Sequence, residues 1–147
     1  MQVWRISNHV DLSGRGGELS DGRWNRVGTP VVYCSDHPAT ALLEMLARIG
    51  RWDVPSAFRL LTIDVPDDAP HLRIEPPLLS ASWRTEIDAT RELGTQILKS
   101  TEHLFLIVPC VLVPLASNVL LNPAHPDVRR CAITAVTDEP FDPRLIR

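Results

Sequence analysis

"GRWNRVGTPVVYCSDHPATALLEMLARIG", residues 22–50, passes from a polar cluster to a strand and then to a helix. Arg23, Trp24 and Asn25 stand together between Gly22 and Gly28. The run PVVYCS (30–35) is apolar and β-branched, as a strand requires, and alternation puts Tyr33 and Ser35 on one face. The helix that follows is well punctuated. Ser35 or Asp36 can cap it, Pro38 suits the first turn, and Gly50 suits the C-terminal cap. Leu42, Met45, Leu46 and Ile49 keep the spacing of a core stripe. Glu44 lies roughly 150° around the helix from that stripe, at ~100° per residue. Its neighbours there are Thr40, Ala41 and Ala47, with Arg48 the one charge. Two readings stay open: an exposed Glu44–Arg48 pair adding ~0.3–0.5 kcal/mol to the helix, or a carboxylate kept clear so that something can approach it.

Outward from this stretch, VWRI (3–6) reads as a short strand with Trp4 and Ile6 on one face and Val3 and Arg5 on the other. Residues 11–29 hold five glycines and are expected to be an irregular loop. AFRLLTIDV (57–65) alternates like a strand, 67–83 reads mostly as loop, and 84–100 is a helix weakened at Gly94. HLFLIVPCVLVP (103–114) makes one or two buried strands hinged at Pro109. ASNVLLNPAHPD (116–127) reads as a turn-rich loop, and RRCAITAV (129–136) as the last strand. Strands outnumber helices in mixed order, so the expected fold is α+β, in one compact domain spanning 1–147 with short mixed sheets and flanking helices.

The 147 residues, 44% hydrophobic and 22% charged with a net charge of −3, suit a single core and offer no basic footprint for nucleic acid. The longest apolar run, 104–116, is broken by Pro109 and Pro114, too short for a membrane helix. MQVWRIS lacks the charged-then-apolar order of a signal peptide, and Cys34, Cys110 and Cys131 are odd in number and far apart. The expectation is a cytoplasmic protein with reduced thiols and no metal site.

Taken one at a time, the polar residues have bland readings. Arg5 can point off an edge, Tyr33 can be core, and Asn118, Asn122 and His125 can serve turn chemistry alone. In order along the chain they carry more. WR near the start, GRWN..G.PVVYCS, A.ALLE, Trp83, VPC, SN.LLNP.HP and a terminal FDPRL resemble the RES-domain toxins, the toxin halves of bacterial Xre–RES type II toxin–antitoxin modules. That resemblance spans essentially the whole chain. It implies a fold related to the ADP-ribosyltransferases and NAD⁺ as substrate, consumed by hydrolysis, by phosphorolysis or by transfer of ADP-ribose to a protein. It implies catalytic roles for Arg23, Tyr33 and Glu44, and dinucleotide contacts from Arg5, Arg23, Asn25, Tyr33, Cys110 and Asn118. The family's serine after VP is Cys110 here, a weaker hydrogen-bond partner than a hydroxyl. The implied partner is an Xre-type antitoxin that makes the DNA contacts, with a homodimer inside a larger complex compatible with it. A non-catalytic module serving autoregulation through Xre is the alternative outside enzymology.

Overall fold

The structure, a computed structural model, describes residues 1–50 and 52–146. Its frame is one sheet of seven strands in the order β4-β5-β6-β2-β1-β3-β7. In chain order these are β1 (Gln2–Ile6), β2 (Val32–Ser35), β3 (Ala57–Asp64), β4 (His71–Arg73), β5 (Phe105–Pro109), β6 (Ser117–Leu121) and β7 (Ala132–Pro140). All neighbouring pairs are antiparallel except β4–β5. Among the described residues three α-helices accompany them: α1 (Arg15–Leu19), α2 (Pro38–Arg48) and α3 (Ile87–Ser100). This is the expected α+β domain, although its strands share one sheet rather than several.

Alternation along the strands builds two cores, one per face. Val3, Val32, Cys34, Leu61, Ile63, Phe105, Ile107, Val119 and Leu121 bury on one side, where Leu12, Val65, Ala69 and Val128 cover them. Leu106, Val108 and Leu120 bury on the other, against Trp24, Trp83 and Leu98 of α3. Strands buried on both faces read as continuous apolar runs rather than alternating ones. That is why 104–108 is so uniformly hydrophobic.

Several expectations are corrected. Residues 117–121 form β6, a central strand between β5 and β2, not a loop. The flanking Asn, Ser and Pro suggest turns, but Val119, Leu120 and Leu121 are buried. β5 ends at Pro109, and 110–116 is the connection that turns the chain into β6. The loop at 11–29 contains α1, β4 lies within the segment read as loop, and the last strand is shifted to 132–140. His37 caps α2, its Nδ1 accepting from the Ala39 N–H at 3.1 Å. The two residues expected to cap are engaged elsewhere: Ser35 with Asn118, and Asp36 with Thr40 and the Ser117 N–H. At the other end the chain leaves the helix through an extended Ile49, so Gly50 makes no left-handed cap.

The face of α2 turned to the sheet is also not the predicted one. Thr40 and Ala41 are its buried residues, while Leu42, Met45, Leu46 and Ile49 are only half-buried and Leu43 is exposed. Small side chains let the helix settle close over β1 and β2. The side that carries Glu44 is therefore the inner side.

Candidate active site

Between β1 and β2 the pairing reduces to one register position, Trp4 opposite Ser35, whereas β1 pairs with β3 along its whole length. The sheet is almost split there. A cleft of about 720 Å³ opens along this seam, within the ordinary range for a ligand site. Arg5 lines it from β1, Tyr33 and Ser35 from β2, Asn118 from β6, Glu44 and Arg48 from α2, and Gly22, Arg23 and Asn25 from the loop before β2.

Glu44 is held from the sheet side. Its Oε1 accepts from Asn118 Nδ2 at 2.7 Å and from the Cys110 thiol at 3.4 Å. Asn118 is itself oriented, because its Oδ1 accepts from the Ser35 hydroxyl at 3.1 Å. That bond fixes which end of the amide meets Glu44. Both bonds fall on Oε1, and no described residue bonds Oε2. Arg48 does not pair with Glu44; its guanidinium instead lies over the Tyr33 ring, 5.7 Å from the centroid. The exposed helix pair of the bland reading is thus not formed.

The Gly22–Asn25 cluster is a knot. Asn25, fully buried, donates through Nδ2 to the carbonyls of Gly17, Ser20 and Arg26. Its Oδ1 accepts from the Tyr33 hydroxyl at 2.7 Å, and that hydroxyl accepts from the Trp24 N–H at 3.0 Å. Gly22 leaves the necessary room, since a Cβ there would sit 2.5 Å from both Asn25 Oδ1 and the Tyr33 oxygen. α3 fastens the knot: Thr90 donates to the Arg23 carbonyl at 2.8 Å, Arg91 to the Gly22 carbonyl at 2.7 Å, and Thr95 accepts from the Arg26 N–H at 2.9 Å. Trp24 is a core residue, packed against Trp83.

Electrostatics divide the site by role. Burial pushes the Tyr33 phenol up to about 12, so the hydroxyl stays protonated and braces the loop while the ring faces the cleft. Burial pulls the Arg23 guanidinium below its usual value, and the nearby Glu44 charge opposes that pull. Arg23 Nη1 donates to the Arg84 carbonyl at 2.9 Å, and Arg5 Nη1 to the Asp11 carbonyl at 3.0 Å. Each bond uses one of five N–H donors. Burial, and then the charge of Glu44, raise the Cys110 thiol.

Arg5, Arg23, Tyr33, Glu44 and Asn118 therefore converge on one cleft. Two other expected contact residues are engaged within the protein. Asn25 spends its amide within the loop, and Cys110, 2% exposed, stands behind Glu44. Asn122 and His125 are turn residues: Asn122 Oδ1 accepts from the Ala124 N–H, and His125 caps the short 3-10 turn at 126–130. Ser35 and Arg48 belong to the cleft and were not among the predicted contacts. The alternation placing Ser35 beside Tyr33 was a usable signal, whereas nothing local separates Arg48 from a surface charge. No group of His, Cys, Asp and Glu among the described residues is placed to hold a metal, and no described helix is long and apolar enough to cross a membrane.

A family model described as RES domain matches residues 2–143. Over 147 residues the chain is 40% identical to Toxin Res of Pseudomonas putida, covering 99% of each protein. Over 154 residues it is 35% identical to Prs ADP-ribosylating toxin of a Sphingobium species, covering 98% of this chain and 96% of that one. The solved structure of the M. tuberculosis MbcT–MbcA toxin–antitoxin complex shares the fold, with a TM-score of 0.72 at 20% identity, over 99% of this chain and 86% of that one. The α+β architecture related to the ADP-ribosyltransferases agrees with these likenesses. With a family match across nearly the whole chain and full-length relatives named as toxins, the chain belongs to the RES domain family of toxins.

Proposed function

We propose that this toxin acts by cleaving the nicotinamide–ribose bond of NAD⁺, with the seam cleft as its active site. The observation that carries the reading is Glu44, its Oε1 held by Asn118 and Cys110 in a cleft otherwise lined by Arg5, Arg23 and Tyr33. As the bond breaks, its electron pair leaves with the nicotinamide nitrogen, the ring becomes neutral, and positive charge develops on the ribose. An anion fixed beside that carbon stabilises the developing charge without having to reorganise. Glu44 supplies it, and Oε2 can accept from a ribose hydroxyl. Arg23 and Arg5 bind the pyrophosphate, for which the planar guanidinium fork is suited. Tyr33 offers its ring face to the nicotinamide, and Asn118 keeps Glu44 in place. An acceptor then adds a lone pair to the ribose carbon and gives up a proton.

Water and inorganic phosphate are the first acceptors to test. A protein side chain is the second reading, favoured by the relative named Prs ADP-ribosylating toxin. The non-catalytic alternative is disfavoured because the Cys110 thiol still reaches Glu44. The partner is a cognate antitoxin, of Xre type by the resemblance, which would supply the DNA contacts this acidic chain lacks. The loop at 16–25 and α2 both line the cleft, and an antitoxin segment laid over them would block it. Purified toxin incubated with NAD⁺, with and without phosphate and a protein extract, tests the reading by product mass. Free nicotinamide with ADP-ribose, with ADP-ribose phosphate or with a modified protein selects the acceptor. Intact NAD⁺ in all three overturns the proposal.

A further inference from the structure

Three guanidinium groups line the cleft, and they do not share one role. Arg5 and Arg23 are tethered to backbone carbonyls on either side of it. Arg48, on the last turn of α2, bonds no described residue and rests over the Tyr33 ring at 5.7 Å. This is the ring of the chain's one tyrosine, and its hydroxyl is tied to Asn25 and Trp24. The ring is therefore fixed and the guanidinium above it can move.

We infer that Arg48 is a specificity-determining and catalytic residue that closes over the far face of the nicotinamide ring and drives its departure by charge. The inference rests on the NAD⁺ reading above. Two stacking separations of about 3.5 Å each make about 7 Å, the spacing a planar ring needs between two others. The Tyr33–Arg48 gap falls short of that by little more than an ångström, which a turn of an exposed arginine side chain supplies. Tyr33, nicotinamide and Arg48 then form a sandwich. In NAD⁺ the ring is cationic, and Arg48 repels it. When the C–N bond breaks, the electron pair returns to the ring nitrogen, the ring is neutral, and the repulsion ends. The positive charge has moved to the ribose, beside Glu44. One group thus raises the bound substrate and the other lowers the transition state. A neutral ring pays no such penalty, so Arg48 also disfavours the oxidised dinucleotide relative to the reduced one.

The test separates charge from packing and from phosphate binding. In a Glu44→Gln background, where turnover is removed, calorimetry measures the affinities of NAD⁺ and of NADH. Arg48→Ala should shift their ratio toward NAD⁺ by about fivefold, the factor that like charges about 4 Å apart impose under water-like screening. Arg48→Lys, which restores the charge, should return the ratio toward the parent value. With Glu44 intact, Arg48→Ala should lower kcat and KM together by about the same factor, leaving kcat/KM close to the parent, the signature of lost ground-state repulsion. An unchanged ratio, or a raised KM at unchanged kcat, overturns the assignment and leaves Arg48 a bystander or a phosphate contact. Failure of the protein to bind either dinucleotide overturns the NAD⁺ reading and this inference together, whereas binding without a ratio change overturns Arg48 alone.

Discussion

Tyr33 does two jobs with two parts of one side chain. Its hydroxyl is both donor and acceptor inside the loop knot, and its ring lines the cleft. Tyr33→Phe should therefore separate stability from chemistry. It strands the buried Asn25 Oδ1 and the Trp24 N–H, a loss of about 1–3 kcal/mol measurable by urea unfolding. Nicotinamide release per folded molecule should stay close to the parent, because the ring remains. The pH dependence has a definite sign. Burial raises the folded-state value from 10.0 to about 12, so the stabilisation is complete below the unfolded value and is lost as pH rises through the window between them. The Phe variant should lose that alkaline slope. Much of this site was legible in the sequence: Arg23, Tyr33 and Glu44 were identified by motif order, and the structure puts them in one cleft. Asn25 was not separable from them, because one motif, GRWN, mixes a cleft residue, a core tryptophan and a buried brace. Only the hydrogen-bond partners distinguish these three.

α3 is the element on which the loop depends. Thr90, Arg91 and Thr95 reach across to Arg23, Gly22 and Arg26, and Gly94 lets the two backbones meet. In the sequence Gly94 reads as a weak point in a helix. In the structure a Cβ there would lie 2.0 Å from the Trp24 carbonyl oxygen, so the glycine is what allows the contact. Gly94→Ala, a substitution that favours an isolated helix, should destabilise the protein by about 1–3 kcal/mol or more and lower activity by displacing Arg23. A urea titration with equal or higher stability for the Ala variant would contradict this close packing. α2 and α3 were legible, α2 because its punctuation is local even though the true cap is His37, whereas α1 fell inside the segment read as loop. The inner face of α2 was misread for a physical reason: a helix lying over a seam packs through small residues, and its most apolar stripe need not face inward. β6 was missed because its flanking Asn, Ser and Pro read as turn chemistry, and its pairing with β2 comes from far away in sequence.

The whole molecule reads as two sub-sheets, β4-β5-β6-β2 and β1-β3-β7, joined where Trp4 meets Ser35. A ligand bound across that seam ties the halves together. Saturating NAD⁺ should therefore stabilise an inactive but folded variant, by about 2.7 kcal/mol at a hundred times its Kd. Hydrogen exchange should slow around residues 16–25 and along α2 while β7, on the far edge, is unaffected. Protection confined to β7 would place the ligand elsewhere. The central claim is that the carboxylate of Glu44, held by Asn118 and Cys110, stabilises the charge that develops on the ribose. The most direct measurement is the rate of nicotinamide release from NAD⁺ by the parent and by Glu44→Gln, with matched unfolding curves for the two. The account predicts release by the parent and a loss of roughly a hundredfold or more in a Gln variant that still folds and still binds, in line with removal of one preorganised charge partner. A folded Glu44→Gln protein releasing nicotinamide at the parent rate would contradict it.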